Sequence, residues 1–146
     1  MSRAPRPPRR NLDLARVLLV DDNLTARLTL QTVLEAGGYQ VDAAASAAEA
    51  VGKLDKRTYE LVLTDLRMES PEAGLKVLAH ARMMDYKPAT ALVTSYQDSR
   101  TRPSARRGDG TFLIEPEDLP ELLSRVADLI SERATRRIER ELVARR

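Results

Sequence analysis

Polar side chains that can do chemistry follow three apolar runs of the chain, each directly after the run ends. They are Asp21 and Asp22 after Val17–Val20, Asp65 after Leu61–Thr64, and Thr94 with Ser95 after Ala89–Val93. Carboxylates with no cysteine or histidine beside them form a hard oxygen site, the kind that Mg²⁺ or Mn²⁺ prefers. A hydroxyl and backbone amides next to such a cation can hold an anion such as a phosphoryl group.

The apolar runs alternate with segments of helical period, which predicts five strands and the helices that connect them. The predicted strands cover residues 17–20, 40–44, 61–64, 89–93 and 111–114, and the predicted helices cover 25–36, 47–56, 75–84 and the chain from 117 onward. This alternation is typical of an α/β fold with a doubly wound parallel sheet and right-handed crossovers. The carboxyl ends of such strands share one edge of the sheet, so the polar residues named above should meet there.

Several predicted helices carry apolar residues at helical spacing, the pattern of a helix with one face on a core. These residues are Leu28, Leu30, Val33 and Leu34 in the first helix, Leu75, Leu78 and Ala79 in the third, and Leu119, Leu122, Leu123, Val126, Leu129 and Ile130 in the last. Ser46 has the residue type and position of an N-cap for the second helix. Residues 97–108 are rich in arginine and contain a proline, which disfavours a packed fourth helix between the last two strands.

Composition excludes several classes of site and protein. The 146 residues are enough for one domain, and the chain has no cysteine and a single histidine, His80. Disulfide scaffolds, thiolate nucleophiles and multi-histidine metal sites are therefore excluded. No apolar run is long enough to span a bilayer, and the basic start lacks the apolar core of a secretory signal, so we expect a cytoplasmic protein.

The net charge of +2 conceals an uneven distribution. Residues 1–10 and 100–107 each hold four arginines and no acid, and residues 131–146 hold six arginines against three glutamates, so the rest of the chain carries −9. Such basic segments support only non-specific, salt-sensitive contact with nucleic acid, because the chain has no helix-turn-helix or zinc-finger pattern and few aromatic residues. Specific nucleic-acid binding is therefore disfavoured as the main role.

The ordered set of motifs resembles the receiver domain of bacterial response regulators over about residues 15–130. The resemblance is carried by VLLVDDN at 17–23, LVLTDLRM at 61–68, Gly74, ALVTS at 91–95 and FLIEP at 112–116. It implies a flavodoxin-like receiver fold, preceded by a flexible basic arm at residues 1–14 and followed by a charged helical extension at 131–146. It also implies a role in two-component phosphorelay signalling rather than enzymatic turnover beyond the protein's own phosphorylation and dephosphorylation.

The resemblance implies a role for each matching residue of the acidic edge. Asp65 is the expected phosphoacceptor, and it is expected to bind Mg²⁺ directly together with Asp22 and the backbone carbonyl of Arg67. Asp21 is expected to act on the metal largely through water. The expected phosphodonor is a sensor histidine kinase or a histidine phosphotransfer protein.

The resemblance also implies a switch. Thr94 matches the hydroxyl that turns toward the phosphoryl group, and Ser95 matches the small residue whose amide helps to bind it. Phe112 matches the aromatic residue that packs inward when Thr94 moves, although a plain core aromatic is the alternative at this position. The switching face would bind a downstream protein that the sequence does not identify, and a homodimer is a further option.

One position departs from the family pattern by a reversal of charge. The family has a lysine before the proline that follows the fifth strand, and this chain has Glu115 before Pro116. The family also implies a cis peptide bond between these two residues. None of the four lysines follows the fourth strand, and the loop from Asp65 to Gly74 is one residue longer than usual.

Two interpretations follow from that departure. The first is a phosphorylatable receiver with altered kinetics, because Asp21, Asp22, Asp65 and Thr94 are all present. The second is a pseudo-receiver, a protein-interaction module whose state is set by partners or Mg²⁺ rather than by phosphate. The sequence leaves both open, and it also leaves open whether the chain is a whole regulator or a fragment of a longer one.

Overall fold

The computed structural model describes residues 15–65, 68–93, 112–114 and 119–145. Strands and helices alternate through these residues. The strands are β1 (Arg16–Val20), β2 (Gln40–Ala44), β3 (Leu61–Asp65), β4 (Ala89–Val93) and β5 (Phe112–Ile114), and the helices are α1 (Leu24–Ala36), α2 (Ala47–Lys56), α3 (Ala73–Arg82) and α4 (Leu119–Ala144). The predicted basic arm lies outside the described residues, and so do residues 97–108, where the sequence disfavours a packed helix.

The strands form one parallel sheet in the order β2-β1-β3-β4-β5. The chain therefore steps outward from β1 to β2 and then crosses back to β3 on the other side of β1. This reversal of strand order lies between β1 and β3, where Val20 pairs with Thr64 at the carboxyl ends of both strands. The predicted α/β class and doubly wound parallel sheet are confirmed.

The central strands are apolar on both faces because helices cover the sheet on both sides. Alternate residues of β1 enter different cores: Val17 and Leu19 pack with α1 and α4, whereas Leu18 and Val20 pack with α2 and α3. Both cores continue into β3 in the same alternating way. Burial on two faces explains why β1 and β3 are continuous apolar runs rather than alternating ones.

The first two helices begin at side-chain caps that the sequence supplies. The Asn23 side chain accepts a 2.8 Å hydrogen bond from the backbone N–H of Ala26, and the Ser46 hydroxyl accepts one of 3.1 Å from that of Glu49. The prediction that Ser46 caps α2 is confirmed. Each cap satisfies a backbone donor of the first helical turn that has no partner within the helix.

The predicted face of α1 is wrong at one residue, and that of α3 is wrong at two, Leu75 and Ala79. In α1, Leu30, Val33 and Leu34 pack in or against the core as predicted. Leu28 is 52% exposed, and the α1 side chains that are buried are Leu30 and Leu34. The third helix runs two residues earlier than predicted, and its buried face contains Val77 and Leu78 while Leu75 is exposed. Small residues explain the earlier start, because Ala73 and Gly74 are buried and bring the helix close to the sheet.

The last helix continues past the core for several turns. Leu122, Val126 and Leu129 are buried as the periodicity predicted, whereas Ile138 and Leu142 are more than half exposed. The division of the chain into arm, domain and extension stays a prediction. Within the described residues, no helix combines the length and the hydropathy that crossing a bilayer requires.

Candidate functional site

Three carboxylates meet at the point where the strand order reverses. Asp21 follows the last residue of β1, Asp22 comes next, and Asp65 is the last residue of the neighbouring strand β3. One oxygen of each carboxylate lies within 4.8 Å of an oxygen of the other two. Parallel pairing of Val20 with Thr64 explains this meeting, because it sets the two strand ends at the same level.

Asp21 is the most enclosed member of the cluster, with 6% of its surface exposed. Its backbone N–H donates to the Ala44 carbonyl at the end of β2 (3.0 Å), and its carboxylate accepts from the backbone N–H of Asn23 (2.9 Å). Burial raises the pKa of Asp21, and the hydrogen bond from Asn23 opposes that effect. The negative charge of Asp22 raises this pKa further, and the Arg27 guanidinium lowers it.

Asp22 and Asp65 are more accessible than Asp21. Asp22 is exposed and Asp65 is half-buried, so the cluster opens to solvent on the side of these two carboxylates. The backbone around them is held by local contacts: Asn23 caps α1, and the Thr64 hydroxyl donates to the Asp65 carbonyl (3.1 Å). A solvent-facing carboxylate at a rigid strand end is accessible to an incoming cation or phosphodonor.

The three carboxylates fit a small divalent cation. Mg²⁺ holds oxygen ligands at about 2.0–2.1 Å, so two oxygens that share it lie at most about 4.2 Å apart. Carboxylate oxygens within 4.8 Å of one another therefore need only small side-chain movements to reach one ion. The donor set contains oxygen alone, which favours Mg²⁺ or Mn²⁺ over softer metals.

The other predicted site residues fall mostly outside the described residues. These are Arg67, Thr94, Ser95, Glu115 and Pro116, so their roles, and the predicted cis peptide bond, stay predictions. Phe112 lies in β5, where its backbone pairs with Ala91 of β4. Its predicted role as a switch also stays a prediction.

Sequence reasoning missed two features beside the cluster. The first is Arg27, whose guanidinium donates a 2.8 Å hydrogen bond to the Asp21 carbonyl from α1. The second is a pair of leucines one turn apart on α1, Leu24 and Leu28, which are 58% and 52% exposed. Leu24 follows the acidic pair by two residues and lies outside the apolar stripe predicted for the helix. Its position was the sequence signal that could have revealed this surface.

The comparison with protein families decides which family this site belongs to. The family model described as "Response regulator receiver domain" matches residues 17–127, which include all three carboxylates. The chain belongs to the response regulator receiver family. Receiver domains are signalling modules of two-component systems and bind Mg²⁺ in an acidic pocket, and this chain has a cluster of three aspartates, Asp21, Asp22 and Asp65.

Relatives of the receiver include transcriptional regulators. The chain is 34% identical over 102 residues to the alginate biosynthesis transcriptional regulatory protein AlgB of Pseudomonas putida, covering 69% of this chain and 22% of that protein. It is 30% identical over 107 residues to the transcriptional regulatory protein ZraR of Escherichia coli O157:H7, covering 73% and 24%. The receiver thus spans less than a quarter of the length of either regulator.

Solved receivers share the fold over nearly their whole length. The response regulator protein TrrA of Thermotoga maritima, crystallised in complex with Mg²⁺ and BeF, is 29% identical with a TM-score of 0.65. The match covers 80% of this chain and 99% of that one. The chain therefore shares its overall fold with this solved receiver.

Proposed function

We propose that this receiver accepts a phosphoryl group on Asp65 in a Mg²⁺-dependent step of a two-component phosphorelay. The observation that carries the proposal is the convergence of Asp21, Asp22 and Asp65 within 4.8 Å at the reversal of strand order. Asp65 is the expected nucleophile because it matches the phosphoacceptor of the family, and its half-buried position at the end of β3 leaves it within reach of solvent. The fit of the oxygen cluster to a divalent cation supports the need for Mg²⁺.

The proposed step moves one phosphoryl group between two side chains. A carboxylate oxygen of Asp65 attacks the phosphorus of a phosphohistidine, the new O–P bond forms, and the P–N bond to the imidazole breaks. The departing imidazole nitrogen keeps the electron pair of that bond and takes up a proton from solvent. Bound Mg²⁺ supplies positive charge that offsets the repulsion between the anionic donor and the carboxylates.

The surface beside the cluster supports docking of a protein donor. Leu24 and Leu28 are exposed on the first turns of α1, directly after Asp22. Exposed apolar side chains next to a polar site are common where a partner protein binds. We infer that a histidine kinase or phosphotransfer protein packs on this leucine pair while its phosphohistidine reaches Asp65.

The pseudo-receiver is the second candidate, and Glu115 is the observation that favours it. The family's lysine at this position belongs to the phosphorylation site, so the resemblance implies that a glutamate here adds negative charge near the three carboxylates. A repulsion of unit charges at about 5 Å is worth roughly 3 kcal/mol at an effective dielectric constant near 20. Such repulsion would slow phosphorylation or shorten the life of the phosphorylated state.

Incubation with Mg²⁺ and acetyl phosphate, followed by intact-mass measurement, tests the proposal directly. We expect the wild-type chain to gain one phosphoryl group, and EDTA or the substitution Asp65→Asn to abolish the gain. Asp128→Asn is the matched control, because it neutralises an exposed carboxylate on α4 and leaves the cluster intact. A change in the backbone amide resonances of an NMR spectrum on addition of beryllofluoride would also support a functional phosphorylation site, without covalent modification.

Glu115→Lys separates the two candidates. If the wild type is phosphorylated and this variant holds its phosphoryl group for longer, the receiver is active and the glutamate tunes its kinetics. If the wild type gives no adduct and no beryllofluoride response while Asp65→Asn behaves as wild type, the phosphorylation proposal is wrong and the pseudo-receiver is supported.

A further inference from the structure

A small cavity lies at the edge of the sheet opposite the acidic cluster. It has a volume of about 240 Å³ and is lined by residues that precede β3 and β4, including Glu60 and Tyr86, and by the extended part of α4. Three arginines of α4, Arg133, Arg137 and Arg140, form its helical side. The spacing of these arginines at i, i+4 and i+7 places all three on one face of the helix.

Arg133 is the buried arginine of this cavity, with 8% of its surface exposed. Its Nη2 donates to the Tyr86 carbonyl (2.7 Å) and its Nε donates to the Lys87 carbonyl (3.0 Å). Both acceptors are neutral, so these hydrogen bonds orient the guanidinium without cancelling its charge. Burial lowers the pKa of Arg133; the negative charge of Glu60 opposes this effect, and the nearby arginines reinforce it.

The positive charge of the cavity is only partly balanced. The Glu60 carboxylate also lines it, but one oxygen of that carboxylate accepts a 2.7 Å hydrogen bond from the backbone N–H of Arg16. Asp85 is exposed at the rim, and Arg137 forms a 3.6 Å ion pair with Glu141 along the helix. The lining thus carries three guanidinium groups and two carboxylates, and Glu141 offsets only part of the repulsion that Arg137 and Arg140 exert on Arg133.

We propose that this cavity binds a small polyvalent oxyanion of the phosphate or pyrophosphate class. Guanidinium groups bind such anions through paired, charge-assisted hydrogen bonds, and an anion between Arg133, Arg137 and Arg140 relieves their mutual repulsion. The volume lies below the range of about 300–1,000 Å³ that is typical of drug-sized ligands, which favours a compact anion. The site lies at the opposite edge of the sheet from Asp65 and does not depend on phosphorylation.

Calorimetric titration of the full chain with pyrophosphate tests the proposal. The titration is done in EDTA, so that the acidic cluster holds no metal, and at constant ionic strength. We expect saturable binding that the double substitution Arg137→Gln and Arg140→Gln weakens by about tenfold or more, equivalent to about 1.4 kcal/mol. Both arginines lie on the exposed extension, and Arg133 is retained because its hydrogen bonds hold α4 in place.

Controls separate a built site from general attraction to a basic helix. Arg145→Gln removes a charge one residue beyond the end of α4 without touching the cavity, and it should leave the affinity unchanged. Asp85→Asn removes a repelling carboxylate and should strengthen binding, and Asp65→Asn should bind like the wild type. No saturable binding, or equal weakening by Arg145→Gln and by the double substitution, would overturn the proposal.

Discussion

Repulsion among the three clustered carboxylates should make the metal-free receiver less stable than a variant with one of them neutralised. Two unit charges 4.8 Å apart repel by about 1 kcal/mol in water and about 3 kcal/mol at an effective dielectric constant near 20. Asp22 takes part in two of the three repulsive carboxylate pairs. Because Asp22 is exposed, the repulsion energy given for water applies best. We therefore expect Asp22→Asn to raise the free energy of unfolding by about 1–2 kcal/mol in EDTA.

Addition of Mg²⁺ should make the wild-type receiver more stable than the Asp22→Asn variant, the reverse of the order expected in EDTA. A ligand that binds only the folded state at a hundred times its dissociation constant stabilises that state by about 2.7 kcal/mol. The wild-type receiver should gain this amount, whereas Asp22→Asn should gain much less because it has lost a charged ligand. Urea titrations followed by circular dichroism, in EDTA and in saturating Mg²⁺, measure both free energies.

Asp128→Asn is the control for this prediction, since it removes an exposed carboxylate of α4 away from the cluster. It should change the free energy of unfolding little and keep the full gain from Mg²⁺. The reasoning is refuted if Asp22→Asn is no more stable than the wild type in EDTA, or if it gains as much from Mg²⁺.

Three further predictions concern the rest of the receiver. Leu24→Ser with Leu28→Ser should slow phosphotransfer from a histidine phosphodonor protein and leave phosphorylation by acetyl phosphate unchanged; equal slowing with both donors would contradict the docking surface. Arg133→Met should lower the free energy of unfolding by about 1–3 kcal/mol, because the Tyr86 and Lys87 carbonyls lose their donor; an unchanged urea midpoint would contradict this. Burial raises the pKa of Tyr86 to about 12 from an ordinary 10.0, so the folded state retains a proton that the unfolded chain releases. Stability should therefore fall as the pH rises from about 10 to about 12, and fall less steeply in Tyr86→Phe.

The sequence predicted the strands and the residues at their ends correctly where local residue patterns decide the structure. The apolar runs at β1 and β3 located both strands and placed Asp21 and Asp65 at their ends, because a strand buried on two faces must be apolar throughout. The parallel sheet followed from the alternation of strands and helices. The helical pattern placed Leu30 and Leu34 of α1 on the core correctly, but it did not reveal that Leu28 lies outside that face.

Residue types and their order along this chain determined the fold class, the acidic strand ends and the oxygen character of the site. Tertiary structure alone decided how far apart the carboxylates lie, since that distance depends on β3 pairing beside β1. It also decided the surroundings of Arg133, which bonds to carbonyls more than forty residues earlier in the chain. Contacts of this kind depend on the packing of distant elements, and no local spacing encodes them.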